Sequence, residues 1–404
     1  MSSRLSPKRE LWLLLTLAGV QFTHILDFMI MMPLGPQFTA IFAITDAQFG
    51  LLVSAYTLAA GLSGLMAATY LDKFDRKKLL LLLYILFGLS TLACGLASGY
   101  FSLMAARIAA GIFGGVLSAL SQTIVADVIP FERRGRAMGI VMTSFSVSTV
   151  AGVPLGLFLA AHFNWHAPFF GIAALVGVLA LGAYVTLPRL SDHLKFENRP
   201  SSWGAIGQVL ADSNHLRAFA LSGLLMFSSF TIIPFITIYL QSNVGWPAAQ
   251  VPLVYLIGGV ATLISARWIG VLTDSKGKVR ILRTMTFIAI VPMVATTLMQ
   301  GLAVWQVLCV TTAFFVCVSG RMIPGMAIIT SAANPQLRGT FMALNSAMQS
   351  ASMGIAALIG GLIISRDAQN MVHHYWVAAL VGATASGAAI FLAGKLKMYQ
   401  TRTA

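Results

Sequence analysis

Charge is scarce in this sequence. Lys, Arg, Asp and Glu make up 9% of its 404 residues, whereas a soluble domain carries roughly a quarter. With 58% of residues hydrophobic, there is too little polar surface to cover a soluble fold, and the chain needs lipid around it. Acids are scarcer than bases, 12 against 26, for a formal net charge of +14. Cysteine occurs three times, at Cys94, Cys309 and Cys317, each inside an apolar run, so no disulfide framework is visible. No cleavable leader is expected, because the first apolar run is too long and lacks a small-residue cleavage site. Ten-residue stretches of alternating polarity are also missing, which excludes a transmembrane barrel. No Walker sequence, H-E-x-x-H or G-x-S-x-G constellation appears. That argues against nucleotide hydrolysis as an energy source and against enzyme chemistry.

Long apolar runs are what the chain has in abundance. A helix crosses a bilayer with about 20 apolar residues, and inside lipid it satisfies its own backbone. Twelve spans are predicted, at roughly 11–34, 47–71, 78–98, 101–127, 137–161, 167–188, 217–241, 249–273, 280–300, 303–333, 340–365 and 374–394. Of the 26 Lys and Arg, 22 fall at the termini and in every second connection, from Arg4, Lys8 and Arg9 at one end to Lys395, Lys397 and Arg402 at the other. The alternate connections hold only Arg366, and Arg107, Arg267 and Arg321 lie inside spans. This asymmetry predicts both termini on the cytoplasmic side of a plasma membrane, the bacterial inner membrane, and reads the basic charge as topology rather than nucleic-acid binding. The polar stretch 187–215 separates spans 6 and 7. We therefore expect an all-α membrane protein with 12 transmembrane helices in two pseudo-symmetric six-helix bundles, residues 1–188 and 217–404, joined by a cytoplasmic linker, 189–216, and acting as a monomer.

The two halves repeat each other. AQFGLLVSAYTLAAGLSGLMAATYLDKFDRKK from Ala47 aligns with AQVPLVYLIGGVATLISARWIGVLTDSKGKVR from Ala249 at an offset of 202, matching Gln48 with Gln250, Asp72 with Asp274 and Arg76 with Lys278. PFERRGRAMG from Pro130 resembles PQLRGTFMAL from Pro335, with Arg134-Gly135 matching Arg338-Gly339 at an offset of 204. Paired six-helix halves of this kind build transporters that rock around a midplane site.

Three motifs give the resemblance its name. G-V-L-T-D-S-K-G-K, with Gly270, Asp274, Gly277 and Lys278, resembles the G-x-L-x-D-x-x-G-R/K signature of the major facilitator superfamily. The first-half copy, A-T-Y-L-D-K-F-D-R-K, has Ala68 and Asp75 where glycines usually stand. R-I-A-A-G-I-F-G-G from Arg107 is similar to the family's fourth-helix arginine motif, and A-G-V-P-L-G, with Gly152, Pro154 and Gly156, resembles a shortened antiporter motif of the drug–proton antiporter branch. The resemblance implies a major facilitator fold and a proton-coupled exporter without cofactor. It also implies a carboxylate–guanidinium–carboxylate latch of Asp72, Arg76 and Asp127 at the cytoplasmic face. On the residues alone, Asp72 and Asp127 also read as solvated loop carboxylates. Gly152, Pro154 and Gly156 suit a kinked helix with a close neighbour, or are ordinary membrane-helix Gly and Pro.

Ionisable residues at membrane depth are costly, at least about 2.5–3.5 kcal/mol on insertion scales, and so default to function. Asp27 lies near the middle of the first span with His24 on the same face at i,i+3. Burial favours the neutral form of a carboxyl, which makes Asp27 a candidate to exchange a proton for substrate, with His24 orienting it or relaying the proton. The alternative for Asp27 is a structural hydrogen bond to a neighbouring helix, and for His24 a satisfied interior histidine. Arg107 is a candidate partner for Asp27. Arg321 has no acid in the second-half spans, so it is the leading candidate for a substrate or anion contact, the alternative being backbone carbonyls beside Pro324. Tyr56, Asn345 and Gln349 are weaker pocket candidates, since polar residues in membrane helices often only bridge helices. With the antiporter-like motif, the resemblance implies efflux of small organic or drug-like molecules in exchange for protons. A carrier for one metabolite, such as a sugar, amino acid or organic anion, stands as the alternative.

Overall fold

The computed structural model describes residues 7–67, 70–71, 74–129, 131–187, 190–191, 202–334 and 337–398. In chain order the helices are α1 (Pro7–Ile30), α2 (Gly35–Ile41), α3 (Asp46–Ala67), α4 (Arg76–Gly95), α5 (Tyr100–Val128) and α6 (Phe131–Val147). A π-helical turn (Ser148–Gly152) leads into α7 (Val153–His162), followed by α8 (Ala167–Thr186), α9 (Ser202–Ala211) and α10 (Ser213–Phe230). A 3-10 turn (Ile233–Phe235) precedes α11 (Ile236–Ser242), then α12 (Val251–Lys276), α13 (Lys278–Ala295), α14 (Val304–Gly320), α15 (Met322–Ala332) and α16 (Arg338–Ile363). The short strands β1 (Ser365–Arg366) and β2 (Val372–His373) form an antiparallel hairpin before α17 (Tyr375–Ala393).

Local sequence explains the boundaries. Asp75 starts α4 by accepting the Lys78 N–H at 3.0 Å, so the residue that breaks the first-half glycine motif acts as an N-cap. Gly277, at φ 91°, ends α12 and begins α13 with no loop between them, a backbone conformation that suits glycine. Among the described residues, 11 helical stretches are long and apolar enough to cross a membrane. The ninth expected span, α13, has only 18 residues and opens with Lys278, Arg280 and Arg283.

Four expected spans are interrupted. α1 ends at Ile30, short of residue 34, and breaks also fall at the 148–152 turn, between α10 and α11, and at Arg321 between α14 and α15. Pro33, Pro154, Pro234 and Pro324 lie at or just beyond these sites. Proline supplies no N–H and its ring crowds the carbonyl four residues back, which places each disruption on the N-terminal side of the proline.

The chain divides into two compact units, the first comprising residues 1–30 and 59–203, the second 31–58 and 204–404. In the first unit α4 packs between α5 and α8, and α1 lies on α6 and α8. In the second, α10 packs on α16 and α17, α12 on α14, and α13 on α14 and α17. The segment 31–58, which holds the connection after α1, α2 and the first half of α3, thus groups with the C-terminal helices.

Close packing in both units rests on glycine. A β-carbon at Gly50 would lie 2.6 Å from the Ala357 carbonyl oxygen, and one at Gly361 would lie 2.7 Å from that of Asp46. In the first unit, a β-carbon at Gly152 would approach Leu26 Cδ1 to 2.9 Å, and one at Gly156 would approach Ile30 Cδ1 to 2.6 Å. The motif glycines therefore seat the two α1 side chains that bracket Asp27. The Ser148 hydroxyl adds a hydrogen bond to the Phe22 carbonyl at 3.1 Å.

Candidate functional site

The first unit contains a buried ion pair. Arg107, in α5, donates from Nη1 to Asp27 Oδ2 at 2.7 Å and to the Asp27 backbone carbonyl at 3.2 Å. Neither side chain exposes any surface. Thr91 and Cys94, both on α4, stand beside the pair, and Asp27 Oδ1 has no hydrogen-bond partner. Three helices thus converge on one carboxylate. His24 turns its ring edge-on to Phe87 of α4 at 6.1 Å, while Thr23 meets the Tyr84 hydroxyl at 3.0 Å. The structure brings Asp27 and Arg107 together and seals them in this conformation.

The second unit contains an arginine centre without an acid. Arg321, at the α14–α15 break, is fully buried. It donates to Ser228 Oγ at 2.5 Å, Ser229 Oγ at 2.7 Å, the Leu225 carbonyl at 3.1 Å and Ser386 Oγ at 3.0 Å. Its Nε has no partner. The acceptors come from α10 and α17, and a substrate contact by Arg321 stays a proposal. The side chain presents no surface to a ligand, and the carbonyl it uses belongs to α10 rather than to the backbone beside Pro324. The physical reason is that the break at Arg321 lets the guanidinium turn between two neighbouring helices that offer hydroxyls.

The remaining candidates are scattered. Tyr56 is buried in α3. Gln349 donates to Ser222 Oγ at 2.8 Å and lies 3.5 Å from Met326 Sδ, bridging α16 to α10 and α15. Asn345, one turn earlier, is buried with its side-chain oxygen unpartnered. Of the expected latch, Asp72 and the Asp127 side chain lie outside the described residues. Arg76 is buried and donates to the Leu71 carbonyl at 2.5 Å. In the second-half motif, Asp274 is exposed, Lys278 donates to Ser331 Oγ at 2.9 Å, and a β-carbon at Gly270 would meet nothing within 4 Å.

Sequence reasoning missed one cluster. Arg366 binds both carboxylate oxygens of Asp46, at 2.8 and 2.7 Å, and also reaches Asn370 Oδ1 at 2.8 Å and Thr39 Oγ1 at 3.4 Å. Such a bidentate pair is among the stronger charge-assisted contacts. Its signal was Arg366 itself, the single cation in the acid- and base-poor connections. The Asn243 amide, at the end of α11, pairs with both the N–H and the carbonyl of Val372 at 2.8 and 2.9 Å and fixes the hairpin.

Comparison with known proteins agrees with this architecture. Residues 17–357 match the family described as Major Facilitator Superfamily. The chain is 25% identical over 335 residues to the uncharacterized MFS-type transporter YtbD of Bacillus subtilis (strain 168), covering 82% of this chain and 83% of that one. It is 24% identical to a probable sugar efflux transporter of Pasteurella multocida (strain Pm70), covering 87% and 82%. Among solved structures, a D-xylose-proton symporter superposes with a TM-score of 0.77 at 16% identity, covering 96% of this chain and 97% of that one. With a family match over most of its length and a fold shared with transporters, this chain is a multi-pass membrane transporter, not an enzyme, and belongs to the Major Facilitator Superfamily.

Proposed function

We propose that the chain is a proton-coupled secondary transporter that exports small organic, including drug-like, molecules by alternating access. The observation that carries this reading is the Asp27–Arg107 pair. Burying two charges costs several kcal/mol per ion, on the order of what their attraction returns, and apolar replacements of similar volume are often at least as stable. Stability alone gives no reason to keep a sealed pair at membrane depth. A carboxyl that takes up a proton loses its charge and its hold on Arg107, so protonation and helix separation become one event. In this reading Asp27 binds the proton, Arg107 holds the deprotonated form closed, and His24 tunes the approach. The proton gradient supplies the energy and no cofactor takes part.

The efflux direction draws support from the antiporter-like motif at Gly152, Pro154 and Gly156 and from the name of the Pasteurella relative. The same reading sets the protein in the plasma (bacterial inner) membrane with both termini cytoplasmic, functional halves at 1–188 and 217–404, and a latch at Asp72, Arg76 and Asp127. A second reading, a carrier for one metabolite such as a sugar, is favoured by the two relatives above whose names state a cargo.

The test begins with a thermal-shift screen of purified protein against a compound library. The cargo it finds is then used in proteoliposomes carrying an imposed pH gradient. Asp27→Asn should abolish proton-driven uphill flux while an uncoupler abolishes it in the wild type. Wild-type flux in the variant would remove Asp27 from the mechanism, and uphill flux that survives the uncoupler would name another ion.

A further inference from the structure

The two arginine centres are built alike and differ in one respect. In each unit an arginine from the fourth long helix of its half reaches the first long helix just before that helix breaks. Asp27 lies three residues before the end of α1, and Ser228 and Ser229 lie two and one before the end of α10. Matching Pro33 to Pro234 places Asp27 on Ser228, and the repeat offset of 202 places it on Ser229. The contact distances agree: Arg107 to Asp27 Oδ2 is 2.7 Å, and Arg321 to the two serine hydroxyls is 2.7 and 2.5 Å. The arginines do not align at that offset, since Arg107 falls on Cys309. What the centres share is their helices and the position of the partner, not an inherited guanidinium.

Among the described residues, no acid contacts Arg321. Among the described side chains, the acids other than Asp27 sit near helix ends or in connections: Glu10, Asp46, Asp75, Asp212, Asp274 and Asp367. Around Arg321 the other titratable group is Cys317, on α14. Around Asp27 the titratable and charged groups are Arg107 and Cys94, with His24 beside Arg107. An arginine does not give up its proton within the working range of a protein. Serine hydroxyls accept its hydrogen bonds without cancelling its charge.

We infer that Ser228, Ser229, Ser386 and Arg321 form an acid-free counterpart of the Asp27–Arg107 centre, so that the second unit carries a fixed positive charge and the transport cycle moves one proton, on Asp27. The one-proton clause rests on the function proposed above, and the architecture of the counterpart centre does not. The second unit then keeps its charge through every step, while the first alternates between neutral and cationic as Asp27 gains and loses its proton.

Two measurements separate these parts. The first needs no cargo. Ser229→Asp and Ser229→Asn have nearly the same shape and differ in charge, and Ser228→Asp with Ser228→Asn gives an independent pair should one site refuse a larger side chain. In detergent above neutral pH, the Asp variant should melt higher than the Asn variant at one of the two positions, and an Arg321→Gln background should erase the gap. Equal melting of Asp and Asn variants at both positions would show that Arg321 does not sense an acid there, and the counterpart centre would be wrong.

The second measurement is an infrared pH titration read where unhydrated carboxyl groups absorb. In an Asp46→Asn background, which removes the other buried carboxyl described above, one titrating band should remain. It should vanish in Asp27→Ser and return in Asp27→Ser combined with Ser229→Asp, the acid having moved to the second unit. A titrating band that persists in Asp27→Ser in that background would disprove the single-carboxyl claim. Failure of Asp27→Asn to affect flux, with the melting result intact, would overturn the proposed coupling role and leave the counterpart centre standing.

Discussion

Arg107→Met is the perturbation that best exposes what the first-unit centre is for. The substitution keeps most of the side chain's apolar stem and removes its charge. The structure sets the magnitude. Both partners are fully buried, and the guanidinium makes contacts of 2.7 and 3.2 Å to the same residue. Removing one partner of such a pair leaves the other charged and desolvated, and costs about 3–5 kcal/mol. A cost of 4 kcal/mol changes the folding equilibrium by roughly three orders of magnitude, at about 1.4 kcal/mol per factor of ten. Combining Arg107→Met with Asp27→Leu removes both charges, and replacing a buried pair by apolar residues is often neutral or stabilising by about 1–4 kcal/mol. The double variant should therefore recover most of the loss while being unable to couple flux to protons. Unfolding in mixed micelles with rising sodium dodecyl sulfate, with helicity as the signal, measures all four corners of the cycle. If the double variant is as unstable as Arg107→Met alone, shape rather than charge holds the centre together, and the argument that the pair is kept for function fails.

Two further outcomes are expected in the second unit. Arg366→Gln removes the cation that binds Asp46 twice, and Asp46 is only 2% exposed. The loss should be about 1.5–3 kcal/mol, the range for hydrogen bonds to charged groups, read as faster hydrogen exchange across residues 365–373, with Asp46→Asn restoring part of the protection. The hairpin should also be acid-sensitive. Asp367 accepts from His373 Nε2 at 2.8 Å and from the Met371 and Gln369 amides at 2.8 and 3.0 Å, and the His373 contact foremost holds its carboxyl below the usual aspartate range. A carboxyl held low by the fold stabilises it above the ordinary value of about 3.9, and that contribution is lost as pH falls through the folded value. Exchange at Met371, corrected for intrinsic rates, should rise only in acid, and His373→Gln should move that rise to higher pH. An unchanged profile in the variant would show that His373 plays no part.

Much of this was legible in the sequence because the bilayer imposes simple rules. Apolar length marked the spans, and the one acid deep inside them pointed to its arginine, since a buried charge must find a partner. The breaks were harder. FTIIPF and SGRMIPG read as continuous apolar helix, because a proline in a membrane span is often absorbed by a bend, and only the packing of the neighbours decides where the helix opens. The Arg321 centre depended on Ser386, 65 residues away, and a serine among small apolar residues carries no hydrophobic or charge signal. Likewise Asp46 and Arg366 are separated by 320 residues. Nothing local in the sequence links the two, because they meet only where the first half of α3 lies beside α16. The latch at Asp72 and Asp127 remains a proposal.

The glycine seats along α7 have a mechanical consequence. Leu26 and Ile30 are one helical turn apart on α1, and so are the glycines that receive them, Gly152 and Gly156. The two helices therefore fit like a toothed rail whose notches are spaced by a single pitch, about 5.4 Å. A slide of one notch would drop one tooth back into a socket, while any fraction of a notch would drive a branched side chain into backbone. The seats thus resist sliding of the helix that carries Asp27 and keep its carboxylate in register with Arg107.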